Sequence, residues 1–169
     1  MPVTDITKDI ENRTIVITAE FAAPVERVWA IYEDARQLEK VWGPPEYPAT
    51  FVDHELRPGA RSTYYMTSPE GEKFAGYWDI TAVEAPQRLT FRDGFAHPDL
   101  TPNPELPVGE NVFVFEAVEG GTRATYTSIN ATAEDLQTVL DMGMEEGATS
   151  AINQIDGFLA NTTQNACSS

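Results

Sequence analysis

The chemistry this chain is best equipped for is recognition by aromatic rings. Strand alternation through its middle puts Tyr64, Met66, Gly76, Trp78, Phe91, Phe113, Phe115 and Tyr126 on one face. Met144 meets that face from a helix. Pockets for small ligands are mostly apolar with a few polar handles, and the tyrosine hydroxyls and His54 are suitable handles. The same residues would equally fill the dry core that a domain of this size requires, so both readings stay open here. The inward set also depends on strand parity. A slip of one residue would exchange the faces and put Tyr65 in place of Tyr64.

Catalytic sets are sparse. The two histidines are His54 and His97. His54 alternates with Val52 and Leu56 and is expected to face inward, either as a hydrogen-bonded structural residue or as a ligand or acid–base group. His97 stands beside Pro98 in an acidic stretch and is expected in solvent. Two histidines without a cysteine pair give no zinc spacing. No glycine run has a phosphate-cradling pattern, and no serine lies in a nucleophile elbow. Glu145, at the edge of a helical stripe, would gain a raised pKa if buried and could then move protons. The simpler reading is a solvated or salt-bridged helix glutamate. Gln154, on the other edge, is a candidate polar contact to a ligand or to a strand end. No catalytic residue, metal ligand or cofactor is predicted.

The elements that must position these residues follow from periodicity. Arg13 to Phe21 alternates, with Ile15, Ile17, Ala19 and Phe21 on one face, as a half-buried strand does. Ala22-Ala23-Pro24 breaks it, and Pro24 suits a helix start. Val25, Val28, Trp29 and Tyr32 follow at helical spacing, and a second short helix is expected around 35–41. Strands are then expected over 50–56, 61–67, 73–84, 88–92, 111–117 and 123–130, joined by short turns as an antiparallel meander. The segment 93–110 carries Pro98, Pro102, Pro104 and Pro107 and is long for a hairpin loop, so it is either a binding loop or an inert excursion. One helix is predicted over 133–160, with Thr132 as its N-cap. Its apolar stripe runs through Leu136, Leu140, Met144, Ala148, Ala151, Ile155 and Phe158, with Gly143 and Gly147 upon it. Glycines there imply close packing or a cavity.

Several strings resemble a known family. Phe21-Ala-Ala-Pro-Val-Glu-Arg-Val-Trp29 resembles the opening of START-like (SRPBCC) domains, and Trp42-Gly43-Pro44 their tryptophan turn. The segment 76–91, with its Pro-Gln-Arg-Leu, resembles their strand pair. Met142-Gly-Met-Glu-Glu-Gly147 resembles the start of the long helix in the branch named for the activator of heat-shock-protein-90 ATPase homologue. The resemblance covers roughly residues 11–160. It implies an α+β helix-grip fold: a curved antiparallel sheet of about six or seven strands around a long C-terminal helix, with two short helices after the first strand. It also implies a cavity between sheet and helix, and relatives that bind or transform hydrophobic ligands. Trp42 joins the candidate lining on this ground. Many members carry Trp where this chain has Ala148, which implies more open space here.

Composition bounds the rest. The chain has 169 residues, with 41% hydrophobic and 22% charged, as expected of one globular domain over 1–162 with a flexible polar tail over 163–169. A net charge of −16 argues against nucleic acid and against anionic membranes. No apolar run is long enough to span a bilayer, and no secretory signal is expected at the N-terminus. The single cysteine, Cys167, fits a cytoplasmic location. The expected function is binding of a small hydrophobic or aromatic molecule, by a monomer or homodimer. The alternatives are a cyclase- or hydrolase-like enzyme, or an acidic co-chaperone-like module with a protein partner.

Overall fold

A computed structural model describes residues 2–168, with side chains from Pro2 to Ala160. The tail 163–169 therefore lies outside the residues whose side chains are described. The chain opens with a strand that alternation did not reveal, β1 (Val3–Asp9). Only Val3 and Ile6 pack against the core, three residues apart, because the register shifts between Val3 and Asp5. That irregularity removes the period of two on which a strand is recognised.

β2 (Thr14–Phe21) buries Ile15, Ile17, Ala19 and Phe21, the expected face. Pro24 caps α1 (Val25–Glu33), which turns Val25, Val28, Trp29, Ile31 and Tyr32 inward. Asp34 caps α2 (Ala35–Val41) by accepting a hydrogen bond from the Arg36 backbone N–H. The meander follows: β3 (Ala49–Asp53), β4 (Arg61–Thr67), β5 (Lys73–Glu84), β6 (Arg88–Ala96), β7 (Gly109–Val118) and β8 (Gly121–Asn130). All neighbours are antiparallel, in the order β1-β2-β8-β7-β6-β5-β4-β3. This α+β helix-grip sheet has eight strands, one or two more than expected, because β1 adds an edge.

The C-terminal helix departs from the expectation. It is two helices, α3 (Ala133–Asp141) and α4 (Met144–Ser168). Thr132 caps the first, its hydroxyl accepting from the Asp135 N–H at 3.0 Å. Gly143 ends the run, with φ at +90°. A left-handed residue cannot continue a right-handed helix, so the glycine read as a buried small residue is in fact the break. α4 then rests on β1, β2 and α2, burying Ala151, Ile152, Ile155 and Leu159. No helix among the described residues is long and apolar enough to cross a membrane.

The two glycines should therefore respond oppositely to alanine. A Cβ at Gly143 meets nothing within 4 Å, yet its φ is unfavourable for any L side chain. Gly143→Ala should lower stability by roughly 1–2 kcal/mol. A Cβ at Gly147 would meet only Pro44 Cγ at 3.9 Å, an ordinary contact inside a helix. Gly147→Ala should raise stability by about 0.5–1 kcal/mol. Urea melts of the two variants check the signs.

Candidate functional site

The concave face is an aromatic array. Trp78 and Phe91 stack at 4.3 Å between centroids, at 22°. Phe91 meets Phe113 edge-on at 5.0 Å, and Phe113 meets Tyr126 edge-on at 4.7 Å. Trp42, at the end of α2, packs edge-on against Trp78 at 4.8 Å and Tyr64 at 5.9 Å. Edge-to-face and offset stacking are the arrangements that ring quadrupoles favour. Tyr64, Trp78, Phe91, Phe113, Phe115 and Tyr126 are all buried, so the expected strand parity is the observed one. Trp42 and Met66 are partly buried and packed against the core. Tyr64 fits because Gly76 lies opposite it, where a Cβ would come within 2.5 Å of its hydroxyl.

Two expectations about this array need correction. Met144 is partly exposed and is not among the residues packed against the core, because the break at Gly143 redirects the helix there. Val52 does not share a face with His54: it is exposed, while Phe51 is buried. A register shift between Phe51 and Asp53 inverts the parity, and β3 ends before His54.

His54 is committed to the fold. Its Nε2 lies 2.6 Å from the Tyr32 carbonyl oxygen, so it carries the proton and donates. Its Nδ1 then accepts from Ser62 Oγ at 2.8 Å. Burial lowers its pKa, against the opposing pull of the Tyr32 carbonyl and the Asp34 charge. The Tyr32 and Tyr126 hydroxyls bond each other at 2.8 Å, and burial raises both pKa values. Glu145 pairs with Lys8 at 2.9 Å. Gln154 Nε2 donates to the Gly43 carbonyl at 2.6 Å, tying the tryptophan turn to α4.

The polar groups that remain lie in a row across the strand ends. Register places Trp78 beside Asp93, Asp93 beside Gly109, and Gly109 beside Asn130. Asn111 Nδ2 donates to Asp93 Oδ1 at 2.7 Å. Burial pushes the Asp93 carboxyl up to about 6, with the Asn111 hydrogen bond opposing. The residue keeps part of its surface exposed while its carboxyl sits among the strand ends. Tyr64 is held high mainly by burial, and the Asp93 charge adds to this. Trp42 Nε1 faces the Tyr64 hydroxyl without reaching hydrogen-bond geometry. Trp42 Nε1, Trp78 Nε1 and Asn130 Nδ2 are buried donors with no acceptor among the described residues.

Two surface depressions lie elsewhere. One of about 480 Å³ is lined by Ile6, Glu145, Glu146, Thr149, Ser150 and Asn153. The other, about 410 Å³, lies around Ala22–Glu26 and Gly120–Gly121. None of the aromatic candidates borders either. No cluster of His, Cys, Asp or Glu among the described residues is arranged to hold a metal.

Residues 22–160 match the family model of the activator of Hsp90 ATPase homolog 1-like proteins. The chain belongs to this family. A crystal structure of protein Ms6760 from Mycobacterium smegmatis is similar at 63% identity and TM-score 0.88, covering 94% of this chain and 97% of that one. A solution structure of a protein from Arthrobacter aurescens is similar at 47% identity and TM-score 0.90, covering 94% and 92%. A solution structure from Staphylococcus epidermidis follows at 26% identity, TM-score 0.81, covering 94% and 95%. No curated protein matches the chain.

Within this activator-homologue fold, the row of Asp93, Asn111 and Asn130 is not evident from the sequence. Asp93 begins the Pro-rich segment expected as a loop, but β6 runs on to Ala96 and carries it inward. Asn111 and Asn130 stand near strand ends. The available signal was parity. Phe91 and Asp93 share a face, as do Phe113 and Asn111, and Tyr126 and Asn130.

Proposed function

We propose that the protein binds a small hydrophobic or aromatic molecule between the concave sheet and the C-terminal helices. The observation that carries this reading is the aromatic concave face, on which two of the unpaired buried donors, Trp78 Nε1 and Asn130 Nδ2, are carried. Leaving a buried donor unpaired costs roughly 1–3 kcal/mol. A ligand with acceptor atoms would recover that cost, and the surrounding rings would cover its apolar body. The enzyme alternative is weakened, because His54 spends both nitrogens on the fold and Glu145 is paired with Lys8.

The test is a thermal-shift screen of fatty acids, sterols and aromatic alcohols. A ligand at a hundred times its Kd should stabilise the protein by about 2.7 kcal/mol. For a chain of this length that is roughly 5–10 °C in Tm. A flat response across the whole set would refute the proposal.

A further inference from the structure

One side of the sheet ends at β1, which pairs with β2 and, among the described residues, has no strand on its other side. Its outer edge leaves backbone N–H and C=O groups open to a further strand. The opposite edge, β3, is partly occupied, because the Phe51 carbonyl accepts from Arg36 Nη2 at 2.9 Å. The irregularity in β1 lies between Val3 and Asp5, so residues 5–9 form the unbroken stretch.

α4 runs beside this strand and is tied to it twice. Asn153 Oδ1 accepts from the Val3 N–H at 3.1 Å, and Glu145 pairs with Lys8 at 2.9 Å. Along the same stretch lies the depression of about 480 Å³, lined by Glu145, Glu146, Thr149, Ser150 and Asn153 of α4 and by Ile6 of β1. Ile6 and Lys8 share a face of β1, so a strand added beside them would direct every second side chain toward this space. Apolar surface next to carboxylates suits a long cationic side chain, whose stem seeks cover and whose head seeks charge. Lys8 already makes that contact from within the chain. Asp5, Asp9 and Glu11 add negative charge along the strand and its turn, and the chain as a whole carries −16. A second copy would bring the same charges and be repelled, whereas a basic strand is drawn in.

We propose that the groove between β1 and α4 docks an extended basic peptide, which pairs with the backbone of residues 5–9 and sets alternate Lys or Arg side chains against Glu145 and Glu146. Backbone pairing would supply affinity, and the carboxylates would select the charge. This surface is separate from the interior of the fold and does not depend on a ligand there.

The test uses the full chain and fluorescein-labelled octapeptides of alternating Lys-Val, Glu-Val and Lys-Pro. Fluorescence anisotropy at low salt should show Lys-Val binding about tenfold more tightly than Lys-Pro, which has the same charge but lacks the N–H groups of a strand ladder. Glu-Val should not bind. Glu146→Gln, an exposed change that leaves the fold intact, should weaken Lys-Val binding about twofold to fivefold. Hydrogen exchange of the amides in residues 5–9 should slow when Lys-Val is bound. Equal binding of Lys-Val and Lys-Pro would reduce the effect to net charge and overturn the groove. Absence of binding overturns it too, as does binding that leaves both the exchange of residues 5–9 and the Glu146→Gln comparison unchanged. A dimer that already protects residues 5–9 without peptide overturns it in favour of a second copy.

Discussion

Trp78→Ala should lower stability by about 3–5 kcal/mol. The side chain is 0% exposed. It touches Trp42, Phe51, His54 and Phe91, with ring centroids between 4.3 and 5.8 Å away. Removing it deletes the hub of the array, and four rings from different elements cannot all move in to fill the space. Trp78→Phe should cost less than half as much, because the Nε1 it removes has no partner to lose. Urea denaturation of both variants measures the difference. A cost below about 1 kcal/mol for the alanine variant would mean that the rings line an open space rather than a packed core.

Asp93→Asn should stabilise the protein at pH 8 by up to about 3 kcal/mol, and by only about 0.5 kcal/mol near pH 4. The Asp93 pKa rises from 3.8 to about 6 on folding, so the native state holds its proton more tightly than the unfolded chain does. Stability from this group is therefore greatest below the unfolded value and is lost as pH rises through about 6. Asparagine is neutral throughout, can still accept from Asn111, and escapes that loss. His54 titrates in the opposite sense. Its native pKa is lowered, so its contribution is present above the unfolded value of 6.5 and fades as pH falls. The wild-type profile mixes the two groups. The difference between variant and wild type, taken from urea melts at pH 4, 6 and 8, isolates Asp93. A gain that does not change with pH would show that burial of the carboxyl is not its source.

The two variants probe cross-strand neighbours on β5 and β6, and they separate two roles within one patch. Trp78 is packed apolar surface whose loss weakens the fold. Asp93 is a group that costs stability at neutral pH. A strongly shifted carboxyl inside the fold is a candidate for a functional role.

The repeating patterns were readable because they depend on neighbours a few residues away. Ile15 to Phe21 alternates, so β2 and its buried face could be placed. Val25, Val28, Trp29 and Tyr32 sit at helical spacing, so α1 could be placed with its face. Alternation in β4 to β8 likewise put Tyr64, Trp78, Phe91, Phe113, Phe115 and Tyr126 inward without any knowledge of pairing.

Three features required the folded chain. Periodicity ran through Gly143 unbroken, because a positive φ leaves no mark on an apolar stripe, and Met144 was misplaced with it. A register shift at Phe51–Asp53 reversed the local parity, so Phe51 took the inward place that alternation had given to Val52. Asp93, Asn111 and Asn130 come from three strands, and their meeting depends on the registers of β6, β7 and β8. Side-chain direction is a local property of the backbone and survives in the sequence. Adjacency between strands is set by turns, bulges and packing over the whole sheet, so only tertiary structure brought the carboxyl and its two amides together.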